Sequence, residues 1–137
     1  MTSPNSEVVS RLINDVFNGQ DWNMFDELHD PNGPIHRAGS IATPAEIKRV
    51  HQTRIQAFPD LHWTVERQIE DGDFVVTHAT WCGTHRGTYQ GLPATGTTVH
   101  GEVMAIRRIA HGLIVETWAV ADTLRVLNQI GGRITLR

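Results

Sequence analysis

The chain has 137 residues, 39% of them apolar and 20% charged, with a formal net charge of −3. This length is enough to bury about 70% of the unfolded surface without staples, so one domain over residues 1–137 is expected. No dense Lys/Arg cluster appears, and the adjacent Arg107 and Arg108 point to opposite faces if they lie in a strand. This argues against nucleic acid and anionic membrane surfaces as partners.

No apolar run is long enough to span a membrane. The segment Met1 to Glu7 lacks the basic and apolar regions of a signal peptide. Cys82 is the one cysteine, which leaves no internal disulfide. A cytoplasmic location is the expectation. Eight histidines are many for a chain this short.

Ser3-Pro4 starts a helix, with Pro at its first position. Val9, Leu12, Ile13, Val16 and Phe17 recur at helical spacing, and Asn18-Gly19 ends the run. Asp21 caps a short helix with Trp22, Phe25 and Leu28, which stops before Pro31. A polar loop covers Pro31 to Ala42. Thr43-Pro44-Ala45-Glu46 is a capping box, and its helix presents Ile47, Val50 and Phe58 up to Pro59.

From Leu61 the period changes to that of strands. Leu61–Glu70 and Phe74–Cys82 flank the hairpin signal Asp71-Gly72-Asp73. A further strand is expected over Thr84–Gln90, then a loop over Gly91–Gly96. Val99–Ile109 and Leu113–Ala121 are long strands joined at His111-Gly112, and Thr123–Ile130 is a short closing helix. Helices followed by antiparallel strands imply an α+β fold, a curved sheet wrapped around helices.

Several short motifs stand in order along this frame. Ala57-Phe58-Pro59-Asp60-Leu61 precedes the first long strand. Gly83-Thr84-His85-Arg86-Gly87 and Gly91-Leu92-Pro93-Ala94-Thr95-Gly96 follow it. Gly112 to Trp118, Asp122 and Leu127-Asn128-Gln129-Ile130-Gly131 complete the set. Together they resemble the SnoaL-like polyketide cyclase family, over almost the whole chain.

The resemblance implies a cone-shaped α+β barrel of the ketosteroid isomerase-like kind. Its N-terminal helices pack into a curved, mixed, mainly antiparallel sheet that encloses a pocket. It also implies cofactor-free, metal-free acid/base chemistry on a small hydrophobic carbonyl compound, and a homo-oligomer, dimer or tetramer. Long strands with apolar residues on both faces, such as Phe74-Val75-Val76 and Val103-Met104-Ala105-Ile106, point the same way. On this alignment the family's working aspartate falls at Ala119 and a pocket histidine at Ala105. Alanine transfers no proton.

The candidates for chemistry are therefore Asp122 and His85. Asp122 reads as the N-cap of the last helix, or as a general base among Trp118 and Val120. His85, between two glycines, reads as a carbonyl-orienting imidazole or as a backbone hydrogen-bonder. Candidate pocket residues are Trp118, Ala119, Ala105, Trp81, His36 and Trp63. His100 and Glu102 share a strand face as an ion pair or acid/base pair. No metal-ligand spacing, nucleophile elbow or phosphate loop appears. Two other readings stand beside the cyclase. One is a water-activating hydrolase or epoxide opener, which needs a set such as Asp122, Glu102 and Arg107. The other is a non-catalytic small-molecule-binding member.

Overall fold

The protein is described from a computed structural model, over residues 3–132. Helix α1 spans Pro4–Arg11, with the Ser3 hydroxyl accepting from the Ser6 N–H. It runs on into a π-helical segment, Leu12–Asn18, which buries Leu12, Ile13, Val16 and Phe17. The Asn18 side chain then pairs with both backbone groups of Trp63, accepting at 2.7 Å and donating at 2.9 Å. A side chain here takes the place of a neighbouring strand.

Helix α2 (Trp22–Leu28) is capped by Asp21, as the sequence indicates. Helix α3 (Pro44–Ala57) carries the full capping box, Thr43 accepting from the Glu46 N–H and Glu46 from that of Thr43.

The strands are β1 (Ile35–Arg37), β2 (Ser40–Ala42), β3 (His62–Asp71), β4 (Phe74–Thr84), β5 (Thr98–Ala110) and β6 (Leu113–Ala121); α4 (Thr123–Gln129) follows. They form one mixed sheet in the order β2-β1-β6-β5-β4-β3. The sheet is open, with β2 and β3 at its edges. All neighbours are antiparallel except β1 and β6, which run parallel. The β5–β6 turn places His111 (φ 53°) and Gly112 (φ 77°) in the left-handed region, as a two-residue hairpin of the primed type requires.

Two expectations change. The segment Pro31–Ala42 is not all loop, since it holds the β1–β2 hairpin. Strands of three residues are too short to show a period, and Ile35 and His36 find partners 82 positions away at Thr117 and Trp118. Thr84–Gln90 is not a strand beyond Thr84. The chain leaves the sheet there, and the Arg86 and Gly87 N–H groups both donate to the Ala57 carbonyl at the end of α3. A Cβ at Gly87 would lie 2.7 Å from the Gln56 carbonyl oxygen, so this close approach needs glycine.

Strand alternation sorts the two sheet faces. On β4 and β5 the odd-numbered residues face the helices, and Val75, Thr77, Ala79, Trp81, Ala105, Arg107 and Ile109 are buried there. The even-numbered ones, including His78, Glu102, Met104 and Ile106, lie on the other face. No helix of the described residues is long and apolar enough to cross a membrane.

Candidate active site

Between the concave sheet face and the helices lies a cavity of about 340 Å³, within the range of small-ligand sites. Leu12, Phe17, Phe25 and Ile47 line it from the helical side, and Thr77, Ala79, Val103, Ala105, Thr117 and Ala119 from the sheet. Arg37, Ala38 and Ser40 of the β1–β2 hairpin form its exposed rim.

The titratable residues that line it are His29, Arg37, His51, Arg54 and Arg107, all of them basic. His29 follows α2 directly and stacks on Phe25, with ring centroids 4.1 Å apart. Its Nδ1 lies 2.7 Å from the Phe25 carbonyl oxygen, to which it must donate. The neutral ring therefore carries its proton on Nδ1 and leaves Nε2 as acceptor. Burial lowers its pKa from 6.5 to about 4, against the Phe25 hydrogen bond, which raises it. His51, on α3, stacks on Phe17 at 4.1 Å. Burial holds its pKa well below 6.5, and Arg54, Arg107, His29 and Arg37 add to the effect. Both imidazoles are neutral at pH 7.

Arg107 is 8% exposed, and its Nη1 has no hydrogen-bond partner. Burial lowers its pKa from the usual guanidinium range to about 10, so it stays charged. Its partner in register across β5 and β6 is Thr117, whose buried Oγ1 is also unpaired. The Arg54 guanidinium lies 5.8 Å from the Trp81 ring centroid, and its Nε is buried without a partner. The ion pairs of the described residues, His36–Glu116, Lys48–Asp26, His78–Glu102 and Arg108–Glu116, include none of these arginines.

Of the residues marked in the sequence, Ala105, Ala119 and Trp63 line the cavity. Trp81 sits in the core behind it, 6.4 Å from Trp63 and 5.2 Å from Phe58 between centroids. Trp118 and His36 stack on one another at 5.3 Å on the opposite sheet face, where His36 also meets Glu116 at 2.7 Å. Asp122 accepts from the Arg125 N–H at 3.3 Å as the exposed N-cap of α4, outside the cavity wall.

His85 is fully buried away from the cavity. Its Nδ1 accepts from the Thr95 N–H at 3.2 Å, and its backbone bonds to Thr97 and Gly96. It fastens the loop that closes this end of the fold. Glu102 pairs with His78 at 2.6 Å rather than with His100, because Glu102 and His78 lie on adjacent strands of the outer face. Of the set considered for epoxide opening, the cavity holds Arg107 and neither carboxylate.

The sequence did carry a signal for the residues it left unmarked. Ile47, Val50, His51 and Arg54 recur at i, i+3, i+4 and i+7 and all line the cavity. Two basic residues on an otherwise apolar helical stripe are the trace of this site. No group of three His, Cys, Asp or Glu able to hold a metal occurs among the described residues.

Helices laid into a curved sheet around one cavity define the ketosteroid isomerase-like class. A protein of that fold from Catenulispora acidiphila superposes with a TM-score of 0.73 at 20% identity, covering 96% of each chain. The family model for SnoaL-like polyketide cyclases matches residues 7–130, and the chain belongs to that family. It is similar to IdmH, a candidate polyketide cyclase from Streptomyces antibioticus. The identity is 29% and the TM-score 0.83, covering 93% of this chain and 98% of that one. AclR, a candidate hydroxylase from Streptomyces galilaeus, shares the fold, with a TM-score of 0.87 at 21% identity over 97% of this chain and 84% of that one. No curated protein gives a significant sequence match.

Proposed function

We propose that this protein performs cofactor-free acid/base chemistry of the cyclase or isomerase type on a small hydrophobic carbonyl compound, with His29 as the base. The observation that carries the reading is a neutral imidazole, held by one nitrogen and open at the other, in a cavity whose charged residues are all cationic.

The Nδ1–H···O=C bond to Phe25 fixes the ring, and Nε2 takes a proton from the carbon beside the substrate carbonyl. Electrons from that C–H bond move to the carbonyl oxygen as an enolate. A group titrating near 4 accepts a proton only as negative charge develops beside it, so transfer and enolate formation are coupled. The guanidinium groups of Arg54 and Arg107 supply a positive field already in place, and the burial of Arg107 strengthens it. His51 adds a second uncharged donor or acceptor. The enolate carbon then attacks a second carbonyl to close a ring, and the π electrons of that C=O become an alkoxide that takes the proton back from His29 Nε2, or the enolate takes that proton back at another carbon.

The test is hydrogen–deuterium exchange at the α-carbon of a bicyclic ketone, 2-tetralone, followed by NMR. The wild type should exchange it well above the buffer rate, and His29→Gln should lose about a hundredfold or more of that enhancement. Exchange at the buffer rate with the wild type would overturn the reading. Binding of the ketone without exchange would favour the non-catalytic one, which the facing Ala105 and Ala119 support.

A further inference from the structure

The cavity contains more positive charge than a neutral carbonyl compound uses. Arg107 is a buried cation with no carboxylate within ion-pair distance among the described residues and with an unpaired Nη1. A buried charge without a partner costs several kcal/mol, and such groups are rarely left so without a role. Thr117, across the β5–β6 ladder, has a buried hydroxyl that is unpaired too. Two donors without acceptors thus lie side by side on the sheet wall, and Arg54 Nε is a third orphan donor from the helical side.

We propose that the natural substrate is a small aromatic or alicyclic carboxylic acid, bound as the carboxylate between Arg107 and Thr117, with its apolar body against Phe17, Phe25 and Ile47. The inference rests on the preceding reading of the cavity as a substrate site and specifies the substrate's class.

An ionised carboxylate is acceptor-only, so each oxygen can satisfy one of the two donors. It also neutralises the buried guanidinium through charge-assisted hydrogen bonds, roughly twice as strong as neutral ones. A ketone oxygen supplies an acceptor but leaves the charge uncompensated. A cationic ligand would add to charges that already repel. The volume of about 340 Å³ and the apolar helical wall limit the rest of the molecule to roughly one fused ring pair or its aliphatic equivalent. With the carboxylate on Arg107, Arg54 remains for the enolate oxygen.

The experiment compares 2-naphthoate with 2-naphthamide, equal in shape and different in charge, by isothermal titration calorimetry at pH 7.5. The wild type should bind the carboxylate about tenfold or more tightly. Arg107→Met should erase that preference, and Thr117→Val should reduce it. Arg108→Met, whose side chain pairs with Glu116 on the outer face, should keep it. Equal affinity for the two probes, or a preference that survives Arg107→Met, overturns this proposal and leaves the cavity reading standing. If neither probe binds a protein that near-ultraviolet circular dichroism shows to be folded, this proposal falls; the preceding reading falls with it only if that protein also leaves 2-tetralone at the buffer exchange rate.

Discussion

Replacing Arg107 by methionine should make the protein more stable. Methionine keeps an unbranched apolar stem of similar length and removes the charge. The fall of the guanidinium pKa from its usual range to about 10 corresponds to about 3 kcal/mol of penalty on the charged form. Burial alone causes it, and no ion pair offsets it. Relaxation around the guanidinium and the packing that its stem already makes reduce what its removal returns, so the gain should be about 1–3 kcal/mol. For a chain of this length it appears as a rise in Tm of roughly 3–10 °C. The assay is paired thermal and urea unfolding of wild type and Arg107→Met without ligand. Added 2-naphthoate should then stabilise the wild type more than the variant, since a ligand that binds only the native state raises its stability. If Arg107→Met instead lowers Tm by several degrees without ligand, the guanidinium has a stabilising partner in the resting protein, and the argument from an unpaired cation fails.

The buried histidines set the acid limit. The folded pKa of His29 lies below its unfolded value of 6.5, so its stabilising contribution is full above pH 6.5 and is lost as pH falls towards 4. The loss is about 3 kcal/mol for this group, His51 acts in the same direction, and His29→Gln should flatten the stability–pH curve between 6.5 and 4. Asp122→Ala should cost about 1 kcal/mol through the lost cap and Asp122→Ser almost nothing, with 2-tetralone exchange unchanged in both; a hundredfold drop in exchange for a stable Asp122→Ser would restore it as a base. The outer sheet face exposes Phe74, Met104, Ile106 and Val120, so light scattering should return a dimer or larger mass, reduced by Ile106→Glu. A monomer mass for the wild type at high concentration would refute that.

Local signals made the frame readable. The Thr43–Glu46 box, the Asp21 cap and the Asp71-Gly72-Asp73 turn each act within a few residues, and each stands where the sequence puts it. The β1–β2 hairpin could not be read this way, because its only long partner is β6 and its strands are too short to alternate. The site was partly readable for the same reason. Trp118 and Ala119 are neighbours in one strand, so one of the two must face away from the cavity. Register decides which: Ala119 pairs with the inward Ala105, and Trp118 with the outward Ile106. His29 and His51 went unmarked because each looks like an ordinary helical histidine until the opposing sheet wall is in place.

The two alanines bear on the charge of the whole cavity. A carboxylate at position 119, where the family resemblance sets its aspartate, would lie one rung from Arg107–Thr117 on the same face, a diagonal separation of about 7–8 Å that long side chains bridge. It would act as base and as counter-charge to the arginine together. On the proposed reading, with alanine there Arg107 stays uncompensated, the base is the neutral His29, and the open charge is available to the substrate. The identity of the base and the charge of the ligand are therefore coupled choices. Ala119→Asp tests the coupling. The new carboxylate should pair with Arg107 and raise Tm despite its burial. It should also cut the 2-naphthoate preference over 2-naphthamide by about tenfold, since an anion now meets a neutralised site. An Ala119→Asp protein that folds with its Tm unchanged and keeps the full carboxylate preference would show that position 119 and Arg107 do not share one electrostatic site.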